Sequence, residues 1–351
     1  MMEINELLKN VIESNASDLI INAGIAPVIR VGGELQYVGN ATLNAEAAKE
    51  LIYSMLSDAQ KKTFEATKEL DVNYEVKKLS RFRVNVHYQR GTVAAALRVI
   101  PSQIPTLEDL RLPRTIADIA NEPRGLILVT GPTGSGKTTT QACMLDMINA
   151  NRKCHVITVE DPIEYVHRNR SSIIEQREIG GDTDSFNQAL KHVLRQDPDV
   201  ILVGEMRDLE TIQTAITAAE TGHLVISTLH TNDAVQAIDR MVDVFPQYQQ
   251  SQIRMQLSLV LQSIIAQQLL PRADKKGVVA AIEILRVTSA IRNLIRKAQT
   301  YEIYSMLEIG TKQGMQSMDN AIKELYGEKL VTYETALAHA VNQDTFKRLS
   351  K

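Results

Sequence analysis

The sequence is poor in cysteine, since 351 residues include only Cys143 and Cys154. Two cysteines cannot supply a four-cysteine zinc site, and they do not form the framework of a disulfide-stabilised secreted domain. We therefore expect a reducing, cytoplasmic location. A strong excess of charge of one sign is also missing, because the formal net charge is −3. That balance gives no overall attraction to nucleic acid or acidic lipid, so no nucleic-acid partner is expected.

Long hydrophobic runs are missing too. The most apolar later stretch, residues 257–270, is interrupted by serines and glutamines and is too short to cross a bilayer. The first 15 residues have the apolar spacing of an amphipathic helix and not of a secretion signal. The apolar positions are Ile4, Leu7, Leu8, Val11 and Ile12. Any membrane contact is therefore expected to go through a partner, without direct insertion.

The first hundred residues mix α and β patterns. Residues 27–38 predict a hairpin across a two-residue glycine turn. Residues 80–88 alternate between apolar and polar side chains, as a strand with one buried face does. A second strand is predicted at residues 92–100 and is expected to pair with it.

A linker is predicted at residues 101–113, which contain three prolines and few periodic apolar positions. Short continuous apolar runs then alternate with helical patterns, which is typical of a parallel sheet covered on both faces. These runs are residues 125–130, 155–159, 199–203 and 223–229. From about residue 288 only helical patterns remain. The predicted divisions are an N-terminal domain at 1–100, the linker at 101–113, an α/β core at 114–287 and a helical region at 288–351.

Residues 131–138 (GPTGSGKT) match the phosphate-loop pattern G-x-x-x-x-G-K-[ST] at every fixed position. Gly131, Gly134 and Gly136 let successive backbone N–H groups point inward around an oxyanion. Lys137 adds positive charge to the β and γ phosphates, and Thr138 supplies a hydroxyl ligand to Mg²⁺. The phosphates are expected at the N-terminus of the helix that follows. ATP and Mg²⁺ are therefore the predicted cofactors.

Two acidic clusters follow predicted strands. Hydrolysis of a phosphoanhydride needs a group that orients water and a hold on the metal, and both belong at the carboxyl ends of strands beside the phosphate loop. Glu205 follows the run at 199–203 and is expected to act as the Walker B acid, holding Mg²⁺ through water. Glu164 ends the second cluster and is also expected to be functional, whereas the roles of Glu160 and Asp161 stay open.

Histidine and arginine side chains add further candidates. His223 and His230 stand at opposite ends of one predicted strand, too far apart for one compact metal pair. The spacing of His230 alone leaves a γ-phosphate contact and a strand-edge hydrogen bond equally open. Arg81 and Arg83 share the polar face of the strand at 80–88. They form either a solvated basic face or a pair that stabilises transition-state charge.

Four segments, in order, resemble motifs of the secretion ATPases that drive type II secretion, type IV secretion and type IV pili. They are residues 131–139 (GPTGSGKTT, Walker A), 160–164 (EDPIE, the Asp box), 195–208 (RQDPDVILVGEMRD, Walker B) and 222–232 (GHLVISTLHTN, the His box). The resemblance implies an α/β fold with a PAS-like N-terminal domain, a RecA-like P-loop ATPase domain and a helical C-terminal region. It also implies a homohexameric ring.

The same resemblance implies residue roles. Glu164 becomes the catalytic base, Glu205 the Walker B acid, and His230 a γ-phosphate or domain-coupling contact. Arg81 and Arg83 become arginines that reach the nucleotide from the N-terminal domain. The nucleotide would be held by the Walker A residues, which are Gly131, Pro132, Thr133, Gly134, Ser135, Gly136, Lys137, Thr138 and Thr139.

Residues 290–296 (AIRNLIR) resemble a motif of the pilus-retraction members of this family. We expect Thr288 or Ser289 to cap this helix, and Arg292 and Arg296 to lie on its exposed face. The core-facing positions are expected to be Ile291, Leu294, Ile295 and Ala298. The implied function of this element is retraction and not hydrolysis.

The whole chain then resembles a hexameric motor ATPase that powers type IV pilus retraction and twitching motility. Its expected place is the cytoplasmic face of the inner membrane at the pilus base, with an inner-membrane platform protein as partner and pilin as an indirect one. An assembly or secretion ATPase is the alternative within the family, although those proteins usually carry a four-cysteine zinc site. A nucleic-acid motor and a non-catalytic nucleotide-binding regulator are the alternatives outside it.

Overall fold

The computed structural model describes residues 3–77, 79–101 and 103–349. The ends of the predicted N-terminal and C-terminal regions, Lys78 and the linker residue Ser102 lie outside the described residues. The chain forms two compact units. The first consists of residues 1–103 with residues 164–166, and the second of residues 104–163 with residues 167–351.

The first unit is a mixed α/β fold. Its elements are α1 (Ile4–Glu13), β1 (Asp18–Ile21), β2 (Val28–Val31), β3 (Glu34–Tyr37), α2 (Ala45–Tyr53), α3 (Asp58–Thr67), β4 (Glu69–Val76), β5 (Ser80–Gln89) and β6 (Thr92–Ile100). The strands form one antiparallel sheet in the order β3-β2-β1-β6-β5-β4. Apolar residues of the three helices and of the inward-facing strand positions form its core.

Local sequence explains most of this unit. The predicted hairpin is confirmed as β2 and β3, with Gly32 and Gly33 both at positive φ in the turn. The predicted pairing of β5 with β6 is confirmed as well. Phe82, Val84 and Val86 are buried on one face of β5 as the alternation predicts, whereas Tyr88 stacks on Phe64 and is 40% exposed.

The second unit is built around a larger sheet. Its elements before the C-terminal helices are α4 (Thr115–Ala120), β7 (Gly125–Thr130), α5 (Lys137–Asn151), β8 (His155–Glu160), β9 (Ile173–Glu178), α6 (Phe186–Val193), β10 (Val200–Val203), α7 (Leu209–Glu220), β11 (Leu224–Leu229), α8 (Ala234–Asp243), α9 (Gln247–Val260), β12 (Leu261–Pro271) and β13 (Val278–Arg286). The strand order is β13-β12-β7-β11-β10-β8-β9. Neighbours are parallel except β12 and β13, which are antiparallel.

The four predicted strands of this sheet are confirmed as β7, β8, β10 and β11. Alternate residues of these strands belong to two different apolar clusters, because successive side chains of a strand point to opposite faces. One cluster includes residues of α4 and α5, and the other includes residues of α6 to α9. Both faces are thus covered by helices, and this explains why the strands are continuous apolar runs.

Helices follow β13 to the end of the described chain. They are α10 (Ser289–Arg296), a 3₁₀ turn (Thr300–Glu302), α11 (Ile303–Ile309), a second 3₁₀ turn (Gly310–Gln313), α12 (Met318–Gly327), α13 (Tyr333–His339) and α14 (Gln343–Leu349). The predicted helical C-terminal region is therefore confirmed. Across residues 3–77, 79–101 and 103–349, none of the helices has both the length and the apolar character needed to cross a bilayer.

Two details of the α10 prediction are wrong. Ala298 lies beyond the helix at φ 55° and is exposed, because the helix ends at Arg296 before its side chain could reach the core. Arg292 does not lie on a free surface, since its guanidinium donates hydrogen bonds to the carbonyl oxygens of Ser258 (2.5 Å) and Leu259 (2.8 Å) near the end of α9. The Thr288 cap is confirmed.

Candidate nucleotide site

A tight loop joins β7 to α5. The strand is buried along its whole length and ends at Thr130, and the helix begins at Lys137. Gly131, Gly134 and Gly136 all have positive φ, at 147°, 77° and 87°. A side chain at Gly131 would collide with the backbone oxygen of Gln267, so the loop needs glycine there for space as well as for conformation.

Lys137 is buried inside this loop. Its ammonium donates hydrogen bonds to the carbonyl oxygens of Gly131 (2.8 Å) and Pro132 (3.1 Å). Ser135 Oγ is buried, and within the described part of the chain no hydrogen-bond partner faces it. A fixed cation, a buried hydroxyl and a helix N-terminus together fit the phosphates of a nucleotide. Thr138 and Thr139 lie half-buried in the first turn of α5, beside this loop.

His230 connects the loop to the Walker B segment. The parallel strands β10 and β11 are neighbours, so Glu205 and His230 follow them at the same edge of the sheet. His230 Nδ1 is 3.3 Å from the ammonium of Lys137, and His230 Nε2 is 3.0 Å from Glu205 Oε1. A lysine ammonium has only protons to offer, so Nδ1 must accept. The proton of the neutral ring is then on Nε2, where it is donated to Glu205.

The Glu205 carboxylate is held in its ionised form. Its Oε1 lies 2.7 Å from Arg207 Nε, and its side chain is 17% exposed. Burial alone would raise the pKa of Glu205, but the hydrogen bonds from Arg207 and His230 and the positive charge of Arg207 outweigh it and lower that pKa below its usual value. An anionic oxygen at this position suits a magnesium site that works through water.

The other predicted site residues lie elsewhere. Glu164 is exposed and belongs, with residues 165 and 166, to the first unit. Arg81 is half-buried and Arg83 exposed on β5 of that unit. The structure therefore gathers Lys137, Glu205 and His230 around the phosphate loop, and the roles of Glu164, Arg81 and Arg83 stay predictions.

Three further side chains have clear places. Glu160 is buried and accepts hydrogen bonds from Thr158 (2.7 Å) and Gln176 (3.0 Å). His223 lies at the far end of β11, where Nδ1 is 2.9 Å from the carbonyl oxygen of Ala218. Arg207, which contacts Glu205, is not among the predicted site residues, although its place two residues after Glu205 within the Walker B segment is a signal for it.

The parallel sheet, the phosphate loop at the start of α5 and the carboxylate at the end of β10 define a P-loop nucleoside triphosphatase. The family model for "Type II/IV secretion system protein" matches residues 1–338, and the chain belongs to that family. The type IV pilus retraction ATPase PilT of Pseudomonas aeruginosa is 46% identical over 98% of this chain and 100% of its own length. The type IV pilus ATPase PilU of the same organism is 42% identical over 100% of this chain and 92% of its own length.

A solved structure agrees with these relatives. The crystal structure of the pilus retraction motor PilT with bound ADP superimposes with a TM-score of 0.93 at 45% identity, covering 99% of this chain and 100% of that one. The predicted family and the predicted fold class are therefore confirmed: a PAS-like N-terminal domain, a RecA-like P-loop domain and a helical C-terminal region. The chain is an ATPase of this family.

Proposed function

We propose that this chain is the motor subunit that powers retraction of a type IV pilus by hydrolysing ATP. The observation that carries the proposal is full-length similarity to a retraction ATPase in a chain whose phosphate loop, Walker B carboxylate and His-box histidine form one hydrogen-bonded set. These side chains include the cation and the carboxylate that phosphoryl transfer uses, and each lies close to the end of a parallel strand.

Each side chain of the site has a proposed task. The ammonium of Lys137 would exchange the carbonyl oxygens of Gly131 and Pro132 for phosphate oxygens. The hydroxyl of Thr138 and, through water, the carboxylate of Glu205 would hold Mg²⁺, which supplies neutralising charge to the phosphates. No group of three histidine, cysteine or acidic side chains suited to a metal occurs among the described residues. This fits an ion that is bound chiefly through water and phosphate. Glu164 would orient the attacking water.

The nucleoside has a proposed place beside the phosphate loop. A cavity of about 230 Å³ opens next to Gly136 and Thr139. Leu112 and Leu269 are apolar residues that line this cavity, and Arg272 is a charged residue that also lines it. An apolar cleft that opens directly beside the first turn of a phosphate-binding helix suits the ribose and base of ATP.

The mechanical part of the proposal concerns the assembled protein. Subunits would form a homohexamer in which Arg81 and Arg83 supply positive charge to a nucleotide. The predicted divisions at 1–100, 101–113, 114–287 and 288–351 would act as separate mechanical parts, with residues 101–113 as the hinge. The ring would work at the cytoplasmic face of the inner membrane at the pilus base. There it would pass its motion to a platform protein and, through it, to pilin.

A subunit with another task at a type IV pilus is the second candidate, because the type IV pilus ATPase PilU is also similar over the full chain. Such a subunit would keep ATP hydrolysis and would assist another retraction motor. An assembly ATPase is less well supported, since the sequence has only two cysteines and cannot form a four-cysteine zinc site.

Gene deletion in the host tests the proposal. We expect the deletion strain to carry many surface pili and to lose twitching. The parental gene should restore the normal number of pili and twitching, and the Lys137→Ala gene should restore neither. Loss of all pili would assign the protein to assembly instead. Unchanged pili and motility would support the accessory function, and deleting the gene together with a second retraction motor would then be the decisive comparison.

A further inference from the structure

Gln267 is a buried polar residue beside the phosphate loop. It lies on β12, which pairs in parallel with β7, and the register places Ala266 opposite Thr130, the last residue before the loop. Gln267 is therefore level with Gly131 and only 2% exposed. A primary amide at such a position must find hydrogen-bond partners, because burying it without them costs free energy.

Both polar atoms of its side-chain amide form hydrogen bonds with the phosphate loop and the start of α5. Nε2 donates to the carbonyl oxygen of Ser135 (2.5 Å), and Oε1 accepts from the hydroxyl of Thr140 (2.9 Å) in the first turn of α5. The carbonyl oxygen of Ser135 can only accept, so the amide orientation follows from chemistry. Gln267 thus ties together two points of the phosphate-binding segment from a different strand.

The hydrogen bond from Gln267 to the Ser135 carbonyl oxygen also determines the direction of the Gly136 N–H. A trans peptide unit is planar, so its C=O and the following N–H point in opposite directions. Because the Ser135 carbonyl points toward Gln267 on β12, the N–H of Gly136 points away from β12. Gly136 has φ 87°, and a glycine in the left-handed region has great backbone freedom unless something restrains it.

We propose that Gln267 is a positioning residue of the nucleotide site, which orients the Ser135–Gly136 peptide so that the Gly136 N–H faces the phosphates. The inference rests on the proposed ATPase function and adds a residue outside the four sequence motifs. A donor that contacts the phosphates both before and during the reaction contributes to binding and not to the chemical step. We therefore expect misorientation of the Gly136 N–H to weaken nucleotide binding and to leave kcat nearly unchanged.

The test compares Gln267→Met with Gln268→Met in the full chain. Methionine keeps the side-chain length of glutamine and removes its amide. Gln268 is the matched control, because it is half-buried on the same strand and hydrogen-bonds His339 and not the loop. The measurements are the Kd for ADP by calorimetry, KM and kcat for ATP, and Tm.

We expect Gln267→Met to raise the Kd for ADP and the KM for ATP by about tenfold, with kcat within about threefold of the parent. Gln268→Met should lower Tm to a similar extent and leave Kd and KM at the parental values. Equal loss of affinity in both variants would mean that Gln267 only fills space. Parental Kd and KM in Gln267→Met would also overturn the inference.

Thr140→Val covers the case in which Gln267→Met does not fold. Valine has nearly the shape of threonine and removes the hydroxyl that holds Oε1, so a smaller rise in the Kd for ADP, about threefold, is expected. An unchanged Kd would contradict the inference. Failure of the proposed function would look different, because the parental chain itself would then neither bind ADP nor hydrolyse ATP.

Discussion

His230 lies between Lys137 and Glu205, with one ring nitrogen 3.3 Å from the ammonium and the other 3.0 Å from the carboxylate. The imidazole therefore links the residue proposed to bind the phosphates to the residue proposed to hold Mg²⁺. We expect a change in the position of either side chain to affect the other, because both contact the same rigid ring.

Replacing this histidine tests the link. We expect His230→Ala to lower kcat for ATP by about tenfold to a hundredfold, because Lys137 and Glu205 lose the group that orients both. The matched control is His223→Ala at the other end of β11, whose ring contacts Ala218 and Thr221. Equal loss of activity in the two variants would point to a general weakening of the strand.

The proposed base gives a second prediction. Glu164→Gln keeps the size of the side chain and removes its basicity, so ATP should bind normally while kcat falls by at least about a hundredfold. ATP binding by calorimetry and steady-state phosphate release measure the two effects separately. Glu175→Gln, on the exposed side of β9, serves as the control. Hydrolysis at the parental rate would show that Glu164 is not the base.

The two arginines of α10 should behave differently. Arg292 donates hydrogen bonds to the carbonyl oxygens of Ser258 and Leu259 near the C-terminal end of α9. A positive charge there also interacts favourably with the negative end of the helix dipole. Arg296 is exposed, and its contact with Ser258 Oγ is long, at 3.4 Å. We therefore expect Arg292→Ala to lower Tm by about 2–4 °C and Arg296→Ala to leave Tm unchanged.

Arg296→Ala then separates output from hydrolysis. If α10 serves retraction, this variant should retain ATPase activity and lose twitching in the host. Loss of ATPase activity together with twitching would remove the reason to treat α10 as an output element. Parental twitching would limit the retraction role to residues other than Arg296.

Glu283 predicts a pH effect on stability. This buried carboxylate on β13 accepts from the backbone N–H of Ala234 (2.9 Å) and of Met318 (3.4 Å), so it joins the N-termini of α8 and α12. Burial, with the nearby Asp233 and Asp319, raises the pKa of Glu283 to about 7 from 4.5. Between those values the folded protein holds a proton that the unfolded chain has released. Stability must therefore fall as pH rises through that window.

The variant Glu283→Gln should lose this dependence. Tm measured from below pH 4.5 to above pH 7 is expected to fall less steeply in the variant, by an amount corresponding to at most about 3 kcal/mol. Glu328→Gln, an exposed change at the C-terminal end of α12, should keep the parental slope. A parental slope in Glu283→Gln would mean that the pKa of this carboxyl is the same in the folded and the unfolded chain.

The central strands of the second sheet could be predicted from the sequence, whereas the strands toward its two edges could not. The strands β7, β8, β10 and β11 are continuous apolar runs because helices cover them on both faces. β9 has charged residues at half of its positions, and β12 has neighbouring glutamines at 267 and 268, so neither shows that pattern. The glutamines are polar for specific reasons, since Gln267 faces the phosphate loop and Gln268 faces His339.

The sequence by itself determined the phosphate loop, because nine consecutive residues carry both the glycines that allow its backbone and the lysine that charges it. It also determined the hairpin of β2 and β3 and the cap of α10, which depend on residues a few positions apart. Only the tertiary structure decided that His230 contacts Lys137 and that Gln267 holds Ser135, which is 132 positions away in the chain. Such contacts depend on strand order and register, and the local periodicity of a sequence does not contain either.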